Sequence, residues 1–265
     1  MTRVEKSWIA ELLTFDHREG DVFTVAAPPD GPNPTLFGGM IAAQALAAAG
    51  ATVSPEKLPQ SLHVYFVRGG RYREPLEFRV ERTRDGRSFD TRRVTAVQAG
   101  AVILEMIASF HVAEPGADEQ PVAPASLAFA DAQPKIVDLE FLDPFDIRTI
   151  SADDTGFALP PFWIRSRDRI EDDPLVRACT LTFLSDIGPV PVARPSGVTL
   201  ARGTGYAASL DHSVWFHRPF APHDWHLYDV VQRNHSDSRG LVMGSLYDRD
   251  GVLVASTTQE ALWRP

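Results

Sequence analysis

The run Phe37–Gly50, FGGMIAAQALAAAG, constrains the fold more than any other stretch of the chain. Its residues are good helix formers dominated by alanine, and Gly50 supplies a stop. Apart from Gln44, the predicted helix is apolar on every face. A helix of that kind is stable only when buried all round. Its small side chains let a sheet come close, so the chain must supply strands to wrap it. Two glycines at a helix start also occur where a phosphate is bound. Here FGGMIA is not G-x-G-x-x-G, and no strand of Rossmann type leads into it, which argues against a nucleotide loop.

The strands follow directly. SLHVYFVR (61–68) is aromatic and β-branched, and residues 76–84 alternate Leu76, Phe78 and Val80 with Glu77, Arg79 and Glu81, the mark of a half-buried strand. RDGR at 84–87 is a hairpin turn signal. Residues 89–98 and 101–112 continue as two strands around Ala99-Gly100. Ahead of all this, Trp8, Ile9, Leu12 and Leu13 predict a short amphipathic helix. The order is one buried helix followed by an antiparallel meander.

The pattern then repeats. Residues 116–138 are rich in Pro, Ala, Asp and Gln without periodicity and read as a linker. FDIRTI and FWIRSR predict strands. DDPLVRACTLTFLSDIGP predicts a helix with Asp173 as N-cap, Pro174 first, and Gly188-Pro189 as the stop. Four strand signals follow, at 209–218, 225–234, 239–251 and 252–263. HVYFVR at 63–68 matches SVWFHR at 213–218, an offset of 150, and the turn residues Gly100 and Gly251 are offset by 151. Two copies with half-chain spacing describe a fused pseudo-dimer rather than a solenoid. An antiparallel sheet wrapped around one helix is a hotdog unit. The expected fold is therefore α+β, a double hotdog of two sheets, each around a central helix and related by a pseudo-twofold. The expected limits are 1–115 and 139–265, joined by 116–138.

Global properties narrow the function classes. The net charge of −9 lacks the basic footprint of a nucleic-acid binder. The only cysteine, Cys179, leaves no internal disulfide and no cysteine metal site, which fits a reducing cytoplasm. No apolar run approaches the roughly 20 residues of a membrane span. His223 and His226 have no ligand spacing of an established metal motif, so no metal and no cofactor is expected. There is no G-x-S-x-G nucleophile elbow.

Three polar residues stand out. Asp186 ends an apolar helix, where the dipole disfavours a carboxylate by roughly 0.3–1 kcal/mol; it is either a solvated surface group or a carboxylate kept for chemistry. Gln259 shares a strand face with Leu253, Ala255, Thr257, Ala261 and Trp263, so it is a buried amide, structural or functional. Ser209 opens the aromatic strand of the second half, where it can cap, turn or serve a site. The repeat aligns these three with Ala48, Ala108 and Pro59, so a site would exist once per chain. His212 and His217 lie five apart on a strand and point to opposite faces, as ordinary strand histidines do. Nine arginines between Arg68 and Arg93 are either phosphate ligands or, with five acidic residues among them, a mixed solvated face.

LFGGMIAAQAL, SLHVYFVRGG, ERTRDGRSFDTRRVTAVQ, FLSDIGPVP, SLDHSVWFHRPF and DRDGVLVASTTQEALWR, in this order and spacing, resemble the acyl-CoA thioesterase II (TesB-like) family, over nearly the whole chain outside 113–145. The resemblance implies hydrolysis of acyl-CoA thioesters, with a water held by an Asp, a Thr and a Gln. Carried over by motif, these are Asp186, Ser209 and Gln259. Ser209 departs from the usual Thr but keeps a hydroxyl that donates and accepts. Met40 departs from the Gln often found after FGG. The chemistry needs a general base for the water, groups that orient it, and N–H donors for the oxyanion; Gly38 and Gly39, opening the first helix, are the candidates for the last. Acyl-CoA is then the substrate partner, and a homo-oligomer is expected by analogy. Two alternatives remain at this point: a non-catalytic acyl-CoA or acyl-carrier binding module, and a hotdog enoyl-CoA hydratase, whose GDxNP…H motif is absent.

Overall fold

The computed structural model describes residues 6–29, 31, 35–123, 128–135, 139–150, 159–198 and 206–264. Residues 124–127 and 136–138 of the expected linker, and 1–5 ahead of the expected first helix, lie outside the described residues. The chain forms two compact units. One comprises Met1–Glu114, Asp168–Leu184 and Phe220–His223, the other Pro115–Arg167, Ser185–Pro219 and Asp224–Pro265.

The first unit opens with helix α1 (Trp8–Leu12), capped by the Ser7 hydroxyl, which accepts from the Ala10 N–H at 3.2 Å. The hairpin β1 (His17–Glu19) and β2 (Val22–Val25) precedes helix α2 (Gly38–Gly50), and a meander follows: β3 (Lys57–Phe66), β4 (Leu76–Asp85), β5 (Phe89–Gln98) and β6 (Ala101–Val112). The antiparallel order is β1-β2-β4-β5-β6-β3. Ala99 (φ 46°) and Gly100 (φ 77°) both take the left-handed conformation that a two-residue hairpin turn requires.

Helix α2 packs on β3, β4, β5 and β6, with Ala42, Ala45, Leu46 and Ala48 fully enclosed. Its one polar side chain, Gln44, is 2% exposed and donates from Nε2 to the Leu12 carbonyl at 3.0 Å. Buried on all sides, the helix meets the requirement its composition set.

Helix α3 (Pro174–Ser185) groups with this unit up to Leu184, although it lies far along the chain. Asp173 caps it through contacts from the N–H groups of Leu175 (2.8 Å) and Val176 (3.1 Å). A side chain at Gly50 would sit 2.6 Å from Leu175, and one at Gly39 would sit 2.6 Å from the Phe183 carbonyl. The two helices therefore run antiparallel, with a glycine admitting close approach at each end. Packing accounts for Gly39 of FGG; Phe183 also meets Phe37 and Trp8 edge-on, each at 5.0 Å between ring centres.

The arginine-rich meander is largely self-neutralised. Arg92 is 1% exposed and donates to Thr52 Oγ1 (2.8 Å), the Thr52 carbonyl (3.0 Å) and Asp85 (2.5 Å). Arg82 pairs with Asp21, Arg79 with Glu77 and Arg93 with Glu105. For these four, the mixed-face reading holds.

The second unit holds β7 (Gln133–Lys135), which falls inside the expected linker, then β8 (Phe145–Thr149), β9 (Phe162–Ser166), the short helix α4 (Pro189–Val192), β10 (Tyr206–Ser209), β11 (Asp211–Phe216), β12 (His226–Ser236), β13 (Arg239–Tyr247) and β14 (Leu253–Arg264). Its order is β11-β14-β13-β12-β9-β8-β7, with β10 also on β14. The single strand expected over 209–218 is thus two, broken at Leu210. The meander of each unit has one topology: β4-β5-β6-β3 in the first, β12-β13-β14-β11 in the second. Register repeats too, His63 facing Ile107 in one and Ser213 facing Thr258 in the other.

Pro174–Val192 is the one stretch among the described residues long and apolar enough to cross a membrane, but 67% of it is buried inside the protein. Gly188, at φ 100°, breaks it between α3 and α4.

Candidate active site

All three polar residues singled out in the sequence lie in the second unit. Asp186 follows the last residue of α3 and is 6% exposed. The chain stops there because Gly188 turns left-handed and Pro189 begins α4. Gln259 sits on the inner face of β14, where alternate residues are buried, and is 1% exposed. Ser209 ends β10 and faces Ala261 across the ladder. The neighbouring turn is fixed by two bonds: the Leu210 N–H donates to the Glu260 carbonyl (2.9 Å), and the Glu260 N–H donates to Asp211 Oδ1 (2.8 Å).

These elements bring the three side chains into mutual contact. Gln259 Nε2 donates to Asp186 Oδ1 at 2.9 Å and to Ser209 Oγ at 2.7 Å. Ser209 Oγ donates to Asp186 Oδ1 at 3.3 Å. Residues 23, 50 and 73 positions apart thus form one hydrogen-bonded triangle. The solvated-surface reading of Asp186 is excluded by its burial.

Gly38 and Gly39, the candidate oxyanion donors, stand in the first turn of α2, in the first unit.

A second layer supports the triangle. Tyr228 donates to the Ser185 carbonyl at 2.7 Å, filling a helix-end acceptor that α3 leaves open. It also contacts Thr257 Oγ1 at 3.0 Å. Gly244 faces Thr257 across the ladder, and a side chain there would lie 2.8–2.9 Å from the Tyr228 ring and hydroxyl. Burial pushes the Tyr228 phenol far up, and the Asp186 charge pushes in the same direction. His212, fully buried, places Nε2 2.8 Å from Ser185 Oγ. Burial drives its pKa down to about 4, with Gln259 opposing the shift, so the ring is neutral. Strand alternation alone makes His212 an ordinary strand residue and does not mark Tyr228. The available signal was that the repeat aligns His212 with apolar Leu62.

No group of His, Cys, Asp and Glu that could hold a metal ion occurs among the described residues. The chemistry on offer is that of one carboxylate, with a hydroxyl and an amide bound to it.

A meander whose first strand closes on its last, present twice, with a buried polar triangle in the second copy, defines a double-hotdog protein. Comparison with known proteins gives the family. Residues 27–111 match the acyl-CoA thioesterase N-terminal domain and residues 117–263 the acyl-CoA thioesterase C-terminal domain. The chain is 34% identical to human acyl-coenzyme A thioesterase 8, covering 88% of this chain and 82% of that protein. It is 32% identical to acyl-CoA thioesterase 2 of Haemophilus influenzae, over 86% and 87%. Its structure resembles the acyl-CoA thioesterase II TesB2 of Mycobacterium marinum, with a TM-score of 0.82, 36% identity and coverage of 97% and 96%. The chain belongs to the acyl-CoA thioesterase family.

Proposed function

We propose that this chain hydrolyses acyl-CoA thioesters to the free acid and coenzyme A, and that Asp186, Ser209 and Gln259 hold and activate the attacking water. The observation that carries the proposal is the triangle itself, a carboxylate buried at a helix end and gripped by an amide and a hydroxyl.

The hydrogen bonds dictate how a water would bind. Both N–H bonds of the Gln259 amide are spent, one on Asp186 and one on Ser209. An ionised carboxylate and a hydroxyl oxygen accept more bonds than the triangle uses. A water entering the cluster is therefore held as a donor, and its lone pair is left for the thioester carbonyl. As the C–O bond forms, Asp186 takes the water's proton as general base. The tetrahedral intermediate then expels the coenzyme A thiolate, which recovers a proton from the Asp186 carboxyl group. No covalent acyl-enzyme is needed.

The test is release of free thiol from acyl-CoAs of graded chain length. Asp186→Asn keeps the shape and an acceptor oxygen for Gln259 but cannot take a proton. Its kcat is expected to fall by about 10²- to 10⁴-fold with KM little changed. An Asp186→Asn protein with full rate would remove Asp186 from the mechanism.

We keep the limits drawn from the sequence, 1–115 and 139–265 around 116–138; the N-terminal family match, ending at 111, favours the first, whereas the C-terminal match begins at 117 and includes the linker. We assign the cytoplasm as compartment on the buried free thiol of Cys179; fractionation decides it. We expect a homo-oligomer. Tyr65 (66% exposed) and Ile107 (53%) offer apolar area for it on β3 and β6, and sedimentation tests the association.

A further inference from the structure

One buried group beside the triangle has no part in the mechanism above. The register of β11 with β14 runs from Phe216–Ala255 to Ser213–Thr258. Extended by one residue, that register sets His212 opposite Gln259, the next buried position on each strand. Facing residues on one sheet side bring their Cβ atoms to about 5 Å. Both side chains are enclosed, His212 at 0% and Gln259 at 1% exposed. Each has one atom without a hydrogen-bond partner among the described residues, Nδ1 of His212 and Oε1 of Gln259. Two unpaired buried atoms are costly, and these are of complementary kind.

The first unit supplies the comparison. Leu62 faces Ala108 at the equivalent place, both fully buried. In the first unit the fold fills this position with apolar side chains. A histidine and a glutamine there in the second unit are not a requirement of packing.

The proton positions follow from the partners. A carboxylate only accepts, so the Gln259 NH₂ must face Asp186 and Oε1 must face away. A neutral imidazole has one N–H. With it on Nδ1, Nε2 is free to accept from the Ser185 hydroxyl at 2.8 Å. We infer that His212 is a positioning residue: its Nδ1–H donates to Gln259 Oε1, prevents the amide from flipping, and so keeps Nε2 on Asp186 and Ser209. The inference rests on the reading of Gln259 as a water-holding residue. Burial keeps the ring neutral, which leaves Nε2 an acceptor for the Ser185 hydroxyl while Nδ1–H donates.

The test has two arms on the full chain. Nitrogen NMR of the His212 imidazole near neutral pH reads the tautomer. The Nδ1–H form is expected, and an Nε2–H form overturns the inference. In the second arm, His212→Asn places an amide N–H near Nδ1, whereas His212→Gln places one near Nε2. Asn is expected to hold kcat within about threefold of wild type. Gln and Ala are expected to lose about tenfold or more, with KM nearly constant. Equal kcat in the Asn and Gln proteins overturns the inference even if both fold, because a merely structural role would not separate them. Gln259→Ala serves as the reference. If it keeps full rate, the water-holding reading fails and takes the positioning role with it. If Gln259→Ala is slow while His212→Ala is not, only the role of His212 fails.

Discussion

A fully buried imidazole ties the stability of this protein to acidity. His212 has a pKa of about 4 in the fold against an ordinary 6.5. Below pH 6.5 the unfolded ring takes up a proton, while the folded ring stays neutral until about pH 4. Across that window the unfolded chain binds more protons, so stability falls as pH falls; above pH 6.5 the contribution is fully present. The whole shift corresponds to about 3 kcal/mol. Urea midpoints from pH 7 to pH 4 should drop in the wild type and drop less in His212→Asn; parallel curves would place the acid sensitivity elsewhere. Much of the site itself was legible at this scale. Asp186 stood out against the helix dipole, and the alternation of β14 aimed Gln259 inward. His212 was not legible, because the Ser185 contact that reveals its role lies 27 residues away and no local pattern announces it.

Among elements, β13 is the one most tightly hemmed in. A side chain at Gly240 would come within 1.9 Å of the Ala193 carbonyl just after α4, a backbone atom that cannot swing aside. Gly240→Ala should therefore cost about 2 kcal/mol, by analogy with overpacked cores, measured by chemical denaturation. Gly251→Ala is a useful contrast: its strain comes from a φ of 80°, and its nearest neighbour stands off at 3.3 Å. An unchanged Gly240→Ala midpoint would mean that α4 yields. Element boundaries were readable where period and turn chemistry agreed, as in 89–98 and 101–112 around Ala99-Gly100. They failed where the backbone departs from its period without a change in composition. The interruption at Leu210 separates β10 from β11 inside a stretch that alternates well enough to pass as one strand. The grouping of α3 with α2 was equally invisible, since an apolar helix does not state which apolar surface covers it.

For the molecule as a whole, the repeat sets the polar triangle of the second copy beside an apolar counterpart in the first. Pro59 faces Phe110 in the first copy where Ser209 faces Ala261 in the second, so the ladder position of the hydroxyl is apolar in the first copy. The path of α3 adds a constraint of another kind. A cut within 116–138 leaves this helix on the C-terminal piece, yet Leu175 and Phe183 find Gly50, Phe37 and Trp8 on the N-terminal one. Expressed alone, the C-terminal piece should bind an apolar dye and aggregate, and co-expression with the N-terminal piece should restore a soluble, thiol-releasing complex. Activity from the C-terminal piece alone would show that α3 can find cover elsewhere. Otherwise the chain behaves as a natural complementation pair: a helix that follows the linker in sequence completes the core of the unit that precedes it.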